Sequence, residues 1–265
     1  MSANKSKLSP KNNRLLYNDL LLPPEGYELD FCISTTYSLD MQALLCMFLA
    51  LSGKNDLSDK VINNPLVQIK SIKEIAQKIA IFVEGGQIKV PANELNIYSL
   101  VEKSINEVKL NKPTNSQRYP SFHPKFHLIK YKNKDGQYIY RLIVLSRNLT
   151  FDNSWDVAFS FDGIKTNDKQ TNKTESIIDF CQFLKKYLSN YSVIDKFDSL
   201  INDLEYVKFD LNAHPVFYDF EFIPLGIYQS FNLDKIDKKH PLAPLFLNTT
   251  NEVFVMSPFL SDDIL

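Results

Sequence analysis

The chain has 265 residues, of which 44% are hydrophobic and 12% aromatic, enough to fill the core of one large domain or two modest ones. Its formal net charge of −1 excludes a global attraction to nucleic acid or to an anionic membrane, so binding of either would require a local patch. Cys32, Cys46 and Cys181 stand alone in apolar contexts, without metal-ligand or redox-motif spacing. We therefore expect free thiols in a reducing compartment.

The amino-terminal segment is polar and basic and lacks the apolar stretch of a signal peptide. No window of the chain approaches the roughly 20 apolar residues that a membrane span needs. We expect a cytoplasmic protein without a membrane partner, with residues 1–20 forming a flexible arm.

The first half of the chain predicts alternating strands and helices. An apolar run predicts a strand over residues 28–34, and helical spacing predicts a helix over 37–51 with Ser38 as its N-cap. Further along, we expect a helix, a strand ended by two glycines, the hairpin partner of that strand, and a second helix, at residues 69–78, 79–83, 87–90 and 93–108.

The second half begins with two long strands, 123–132 and 138–146, and the Asp135-Gly136 pair between them is typical of a tight hairpin. The remaining pattern predicts a strand, a loop, two helices and two strands, at residues 154–161, 163–173, 174–188, 193–204, 206–211 and 218–223. The fold class expected from this order is α/β, a mixed β-sheet flanked by helices on both faces.

A weak internal repeat concerns the domain organisation. Residues 29–34 and 253–258 are both apolar strands that end near a serine and are followed by an aromatic residue. We expect residues 21–250 to form the first repeat of one domain. Residues 251–265 are then either the start of a second repeat or a strand that pairs with another chain.

Four polar side chains form the main functional signal. His123 and Lys125 lie two apart on one predicted strand, and Ser146 and Asn148 lie two apart on the next. If the strands are adjacent, an imidazole, an ammonium, a hydroxyl and an amide converge on one spot. Such a group can handle a phosphate without a metal or other cofactor.

The pattern His123-x-Lys125 followed by Ser146-x-Asn148 resembles the signature of the phospholipase D superfamily. The wider stretch 145–156 is similar to bacterial phospholipase-D-like nucleases and to tyrosyl-DNA phosphodiesterases. The resemblance implies a phospholipase-D-like fold and a two-step reaction, in which one histidine forms a phosphohistidine and a second protonates the leaving oxygen and later activates water.

The chain departs from the superfamily pattern at three points. Lys130 stands where the aspartate is expected, as in the tyrosyl-DNA branch, and Leu145 replaces the glycine before the serine. Superfamily members build one site from two His-x-Lys motifs, whereas this chain has one, because no lysine follows two positions after His127, His214 or His240. The resemblance thus implies either a homodimer or a second half supplied by a longer chain.

The resemblance implies that His123 is the nucleophile, that Lys125 and Asn148 donate hydrogen bonds to phosphoryl oxygens, and that Ser146 acts in the site or supports its loop. Arg147 is as readily a structural ion pair as a substrate-phosphate contact. His127 is a further substrate-binding candidate, although a sheet histidine with satisfied hydrogen bonds is the simpler interpretation.

A basic run lies around the motif. Between residues 109 and 134 there are seven lysines or arginines before the one acidic residue of the hairpin turn: Lys109, Lys112, Arg118, Lys125, Lys130, Lys132 and Lys134. On the rim of a site this run, with Arg118 and Lys130 as substrate contacts, would bind a phosphate backbone. An ordinary solvated hairpin face explains the run equally well.

Three functional hypotheses remain open from the sequence. The first is a metal-independent phosphodiesterase that cleaves nucleic acid, with DNA as the expected substrate. By resemblance it would work beside an ATPase or helicase in bacterial restriction or antiphage defence. The second is a non-catalytic half of a duplicated fold that binds DNA or a partner subunit. The third is a lipid phosphodiesterase, which the lack of an amphipathic basic helix disfavours.

Overall fold

A computed structural model describes residues 17–53, 65–92, 96–111, 120–152, 156–211 and 219–226. The strands are β1 (Tyr27–Thr36), β2 (Leu39–Asp40), β3 (Ile79–Glu84), β4 (Ile88–Lys89), β5 (Ile105–Val108), β6 (Phe126–Asn133), β7 (Tyr138–Leu145), β8 (Ala158–Lys165) and β9 (Val207–Asp210). The α-helices are α1 (Tyr17–Leu21), α2 (Met41–Leu51), α3 (Pro65–Ala76), α4 (Tyr98–Val101), α5 (Thr171–Lys185) and α6 (Ile194–Leu204). Short 3₁₀ turns at Glu102–Ser104 and Tyr191–Val193 lead into β5 and α6.

Seven strands form one mixed sheet in the order β5-β3-β1-β6-β7-β8-β9. The pairs β1–β3 and β3–β5 are parallel, whereas every pair from β1–β6 to β8–β9 is antiparallel. The predicted hairpin between β6 and β7 is confirmed, and Gly136 takes the positive φ of 79° that its turn requires.

Helices cover both faces of the sheet, so the predicted α/β class is confirmed. On one face α1, α2 and α4 bury Leu44, Phe48 and Val101 against the sheet. On the other face α5 and α6 bury Cys181, Phe197 and other apolar side chains. The alternation of side chains along each strand assigns neighbouring residues of β1 and β6 to opposite cores.

Three predicted elements are wrong. Of the stretch predicted as a helix over 93–108, the described residues form the short helix α4, a 3₁₀ turn and then β5, which alternates buried Asn106 and Val108 with more exposed neighbours. Residues 88–89 do not pair with β3 as a hairpin; β4 pairs in parallel with β2. Residues 219–223 form no strand.

The start of α2 also differs from the prediction. Its N-cap is Asp40, whose carboxylate accepts a hydrogen bond of 2.8 Å from the backbone N–H of Gln42, and Ser38 lies before it. The choice of Ser38 as the N-cap placed the helix start about one turn too early, because Leu39 and Asp40 form β2.

Most of the predicted terminal segments lie outside the described residues. Residues 1–16 of the predicted arm and the whole of 251–265 are not described, while residues 17–20 at the end of that arm lie in α1. In the part of the chain that is described, no helix is long and apolar enough to cross a membrane.

Candidate active site at one edge of the sheet

The two motif segments meet at the same edge of the sheet. The carboxyl ends of β1, β3 and β7 lie there, together with the amino end of β6, because β6 runs antiparallel to both β1 and β7. The segment containing His123 and Lys125 enters β6 at this edge, and the segment containing Ser146 and Asn148 leaves β7 there. The prediction that these residues lie on the strands themselves is wrong.

Proline chemistry explains why β6 begins late. Pro124 has no N–H to donate to a ladder, and its carbonyl accepts a hydrogen bond of 3.1 Å from the Thr35 hydroxyl instead. The Leu145 N–H still donates to the Lys125 carbonyl over 3.1 Å, which is the last backbone bond between the two segments at this edge. The motif residues therefore lie just outside the sheet, on backbone that the side chains of Thr35 and Thr36 hold in place.

His123 and Lys125 are in direct contact. The Lys125 ammonium donates to the His123 ring nitrogen Nδ1 over 2.6 Å and to the His123 carbonyl over 3.0 Å. The Tyr37 ring lies against the imidazole, with ring centroids 4.6 Å apart and an angle of 36° between the planes. His123 is exposed on its other sides, so a substrate can reach it.

The protonation states of this pair are set by burial and by each other. Partial burial, and then the ammonium of Lys125, lower the pKa of His123 below its ordinary value of 6.5. Burial lowers the pKa of Lys125 to about 8. At pH 7 the imidazole is therefore mainly neutral and the ammonium mainly charged, which is the combination that nucleophilic attack on a phosphate diester requires.

The second motif segment forms a tightly bonded loop. Ser146 Oγ donates to Asp156 over 2.9 Å and accepts from the Val157 N–H over 3.0 Å. The Arg147 guanidinium binds Asp156 and Asp152 and the carbonyls of Thr150 and Asp152. These contacts favour the structural interpretation of Ser146 and Arg147 over direct contact with substrate.

Asn148 differs from its loop neighbours. Its side-chain oxygen Oδ1 is buried and has no hydrogen-bond partner among the described residues. A buried acceptor without a partner costs free energy unless a ligand or another group supplies a donor. The Oδ1 of Asn148 can thus accept a hydrogen bond for which the described part of the chain supplies no donor.

Two buried threonines join the loop to the rest of the site. Thr36 Oγ1 accepts from the Leu149 N–H over 2.9 Å and donates to the Ser38 carbonyl, while the neighbouring hydroxyl of Thr35 holds Pro124. The end of β1 therefore fixes both motif segments at once.

The structure does not bring Lys130 to this group. Its side chain is buried on the α5–α6 face, where its ammonium lies 2.6 Å from Asp203 and 3.7 Å from Asp30 and packs over the ring of Tyr138. Burial tends to raise the pKa of Asp203, but hydrogen bonds from Lys130, Lys165 and Tyr140 hold it below its usual range. Lys130 is a core ion-pair residue, because position 130 lies on the face of β6 opposite to position 127.

His127 is buried on the opposite face, 2% exposed, between two hydroxyls. Its Nδ1 lies 2.8 Å from Ser34 Oγ and its Nε2 lies 2.9 Å from the Tyr17 hydroxyl. Burial lowers the pKa of His127 to about 4, so it stays neutral. These contacts match the interpretation of a satisfied sheet histidine that fastens α1. Arg118 lies outside the described residues.

Sequence reasoning missed Tyr37 and Glu84. Tyr37 follows β1 directly and stacks on His123, and the only signal for it was an aromatic residue just after an apolar strand. Glu84 ends β3, and its carboxylate accepts a hydrogen bond of 2.5 Å from the Phe122 N–H, a contact between residues 38 apart that no local pattern reveals.

The comparisons with known proteins gave solved structures only: no family model and no curated protein matches the chain. Crystal structures of yeast tyrosyl-DNA phosphodiesterase are similar to it at 14% identity. Two mutant structures give TM-scores of 0.43 and 0.42, each covering 77% of this chain and 40% of theirs. A third gives 0.40, covering 71% and 37%. The chain spans about two fifths of the length of these neighbours.

Lys130→Met tests the ion pair. Removing the ammonium leaves Asp203 partly buried with one fewer partner, so we expect the free energy of unfolding to fall by about 3 kcal/mol. Urea unfolding monitored by circular dichroism measures it, with Lys134→Met at the exposed hairpin turn as the control. Equal stability of the two variants would contradict a structural role for Lys130.

His127 makes stability depend on pH. Between pH 6.5 and 4 the unfolded chain binds a proton at this histidine and the folded chain does not, so the free energy of unfolding falls as the pH falls. The expected loss is about 3 kcal/mol between pH 7 and pH 4. Urea unfolding of the wild type and of His127→Gln at both pH values measures this loss as the difference between the pH dependences of the two proteins. Parallel pH dependence in the two proteins would show that His127 is not the group responsible.

Proposed function

We propose that this protein is a metal-independent phosphodiesterase that cleaves nucleic acid, with DNA as the expected substrate, through a phosphohistidine at His123. The observation that carries the proposal is the exposed His123–Lys125 pair, in which a neutral imidazole and a charged ammonium are in direct contact. Neutral imidazole is a nucleophile at pH 7, and the ammonium supplies positive charge at the point where negative charge develops.

Substrate binding changes the partner of Lys125. In the free protein its ammonium donates a hydrogen bond to the lone pair of a His123 ring nitrogen. A phosphate diester in the site offers anionic oxygens, which are better acceptors, so the ammonium moves to a phosphoryl oxygen and frees the imidazole nitrogen.

In the first step, the freed lone pair of His123 forms a bond to phosphorus while the bond from phosphorus to the leaving oxygen breaks. The electron pair departs with that oxygen, which takes a proton from a second histidine. In the second step, that histidine takes a proton from water as the water oxygen attacks phosphorus. The bond between nitrogen and phosphorus breaks and its electrons return to His123.

The second histidine comes from outside the motif described here, since the 265 residues contain one His-x-Lys. A second copy of the chain would supply its own His123 in a homodimer, where this second histidine must carry the proton that it donates to the leaving oxygen, and a longer chain would supply a second repeat. Asn148 is proposed to donate to a phosphoryl oxygen through its amide Nδ2, while Ser146 and Arg147 hold the loop that presents it.

The preference for nucleic acid rests on the resemblance of the motif. The basic run contributes less than the sequence indicated, because Lys130 is buried in an ion pair. Lys132 and Lys134 lie at the hairpin end of β6, about 25 Å from the site edge at the usual rise of a strand. A role beside an ATPase or helicase in defence stays a prediction.

The first test is cleavage of labelled single- and double-stranded DNA in EDTA by the wild type and by His123→Ala. We expect loss of the nucleophile to reduce the rate by more than about 10³-fold. Lys134→Ala, which removes an exposed charge at the far end of the hairpin, is the control and should cleave at the wild-type rate. Acid-quenched wild type should carry a covalent, acid-labile phosphate that His123→Ala lacks. Retained cleavage by His123→Ala would exclude the nucleophile.

The pH dependence of kcat/KM is a second test. Activity requires neutral His123 and charged Lys125, so the profile should rise through a pKa below 6.5 and fall again through about 8. In Lys125→Arg the guanidinium stays protonated, so the fall near pH 8 should disappear. An unchanged alkaline limb in this variant would show that another group sets it.

The single His-x-Lys favours one alternative, a non-catalytic half that binds DNA or a partner subunit. Light scattering and the cleavage assay, applied to the same sample, separate the two functions. A dimer that cleaves DNA supports the phosphodiesterase. A monomer that binds DNA without cleaving it supports the alternative, and release of headgroups from phospholipid vesicles instead would identify a lipid phosphodiesterase.

A further inference from the structure

The segment that carries His123 is held by few contacts. It precedes β6, so its backbone groups do not belong to the sheet ladder. Three anchors fix it: the Thr35 hydroxyl on the Pro124 carbonyl, the Leu145 N–H on the Lys125 carbonyl, and the Glu84 carboxylate on the Phe122 N–H. The last is the anchor directly before His123 and the only one of the three that carries a charge.

The hydrogen bond between Glu84 and the Phe122 N–H is short, and both residues are held by buried structure. Glu84 Oε2 accepts from the Phe122 N–H over 2.5 Å, and hydrogen bonds to a carboxylate are stronger than bonds between neutral groups. Glu84 is the last residue of β3, which is buried between β1 and β5, and the Phe122 side chain is only 3% exposed. A rigid strand therefore places the carboxylate, and the carboxylate places the backbone at His123.

Among the described residues, two charged groups act on the imidazole. Lys125 contacts it from its own segment and Glu84 acts on it from the end of β3, while the Tyr37 ring lies against it from the end of β1. The carboxylate raises the pKa of His123 while burial and Lys125, the larger influences, lower it. Glu84 thus opposes the ammonium at the ring where the proposed reaction builds positive charge.

We propose that Glu84 is the positioning residue for His123, holding the backbone before it in place and stabilising positive charge on the imidazole. This inference rests on the proposed function for its catalytic consequence. When a ring nitrogen bonds to phosphorus, the imidazole gains positive charge, and a carboxylate fixed on the backbone N–H of the preceding residue lowers the free energy of that state.

Two substitutions separate the two parts of the role. Glu84→Gln keeps an oxygen that accepts from the Phe122 N–H and removes only the charge, whereas Glu84→Ala removes both. Glu107→Gln is the matched control, because Glu107 is on the adjacent β5 and its carboxylate also accepts from a backbone N–H, that of Gly86, over 3.2 Å.

The first readout is NMR titration of the His123 imidazole, assigned by loss of its signal in His123→Gln. It needs no activity, so it tests Glu84 even if the proposed cleavage fails. The His123 titration should shift to lower pH in Glu84→Gln and stay at the wild-type position in Glu107→Gln. An unshifted titration in Glu84→Gln would overturn the electrostatic part of the role.

The second readout is kcat/KM against pH. In Glu84→Gln the acid limb should move to lower pH together with the NMR titration, with a smaller loss of rate than in Glu84→Ala. Glu84→Ala should lose about tenfold or more at every pH, because the backbone before His123 is no longer fixed. Thermal melts show whether Glu84→Ala is folded. If it is not, Glu84→Gln still tests the role of the carboxylate charge. Wild-type kcat/KM in folded Glu84→Ala would overturn the positioning role.

Discussion

Two adjacent hydroxyls at the end of β1 hold the candidate site together. Thr35 and Thr36 are each 1% exposed, and they use their side chains to bind the Pro124 carbonyl and the Leu149 N–H. Both partners belong to segments that leave the regular sheet, where backbone groups have lost their ladder bonds. Buried polar groups without partners are costly, so these hydroxyls make the departure from the sheet stable and place the two motif segments side by side.

The position of the motif residues outside the sheet also determines whether their side chains are accessible to solvent. His127 lies on a strand of this sheet, between the helix-covered faces, and is buried there. His123 and Lys125 stay accessible because Pro124 delays the start of β6 until Phe126. One histidine is therefore buried within the sheet, and the other, four residues earlier, is exposed just outside it.

Electrostatics at the site is a balance between neighbours of opposite sign. Burial and then Lys125 lower the pKa of the His123 imidazole, Glu84 raises it, and the loop carboxylates Asp152 and Asp156 are bound to Arg147. Because the carboxylates of the loop are bound by its own arginine, their charge is partly neutralised next to the place where an anionic substrate would bind. The larger group of ion pairs around Asp203 lies on the α5–α6 face of the sheet, away from the site edge.

The sequence by itself determined the elements whose signals are local. Alternating apolar residues and an Asp-Gly turn predicted the β6–β7 hairpin, and the order of strands and helices predicted the α/β class. The spacing of His123 and Lys125 also pointed to the pair that the structure finds in contact. Only the tertiary structure decided the rest, because it depends on residues far apart in the chain. Pairing with β3 turned a helix-like stretch into β5, the pleat of β6 put Lys130 and His127 on opposite faces, and packing of strand ends brought Tyr37 and Glu84 to His123.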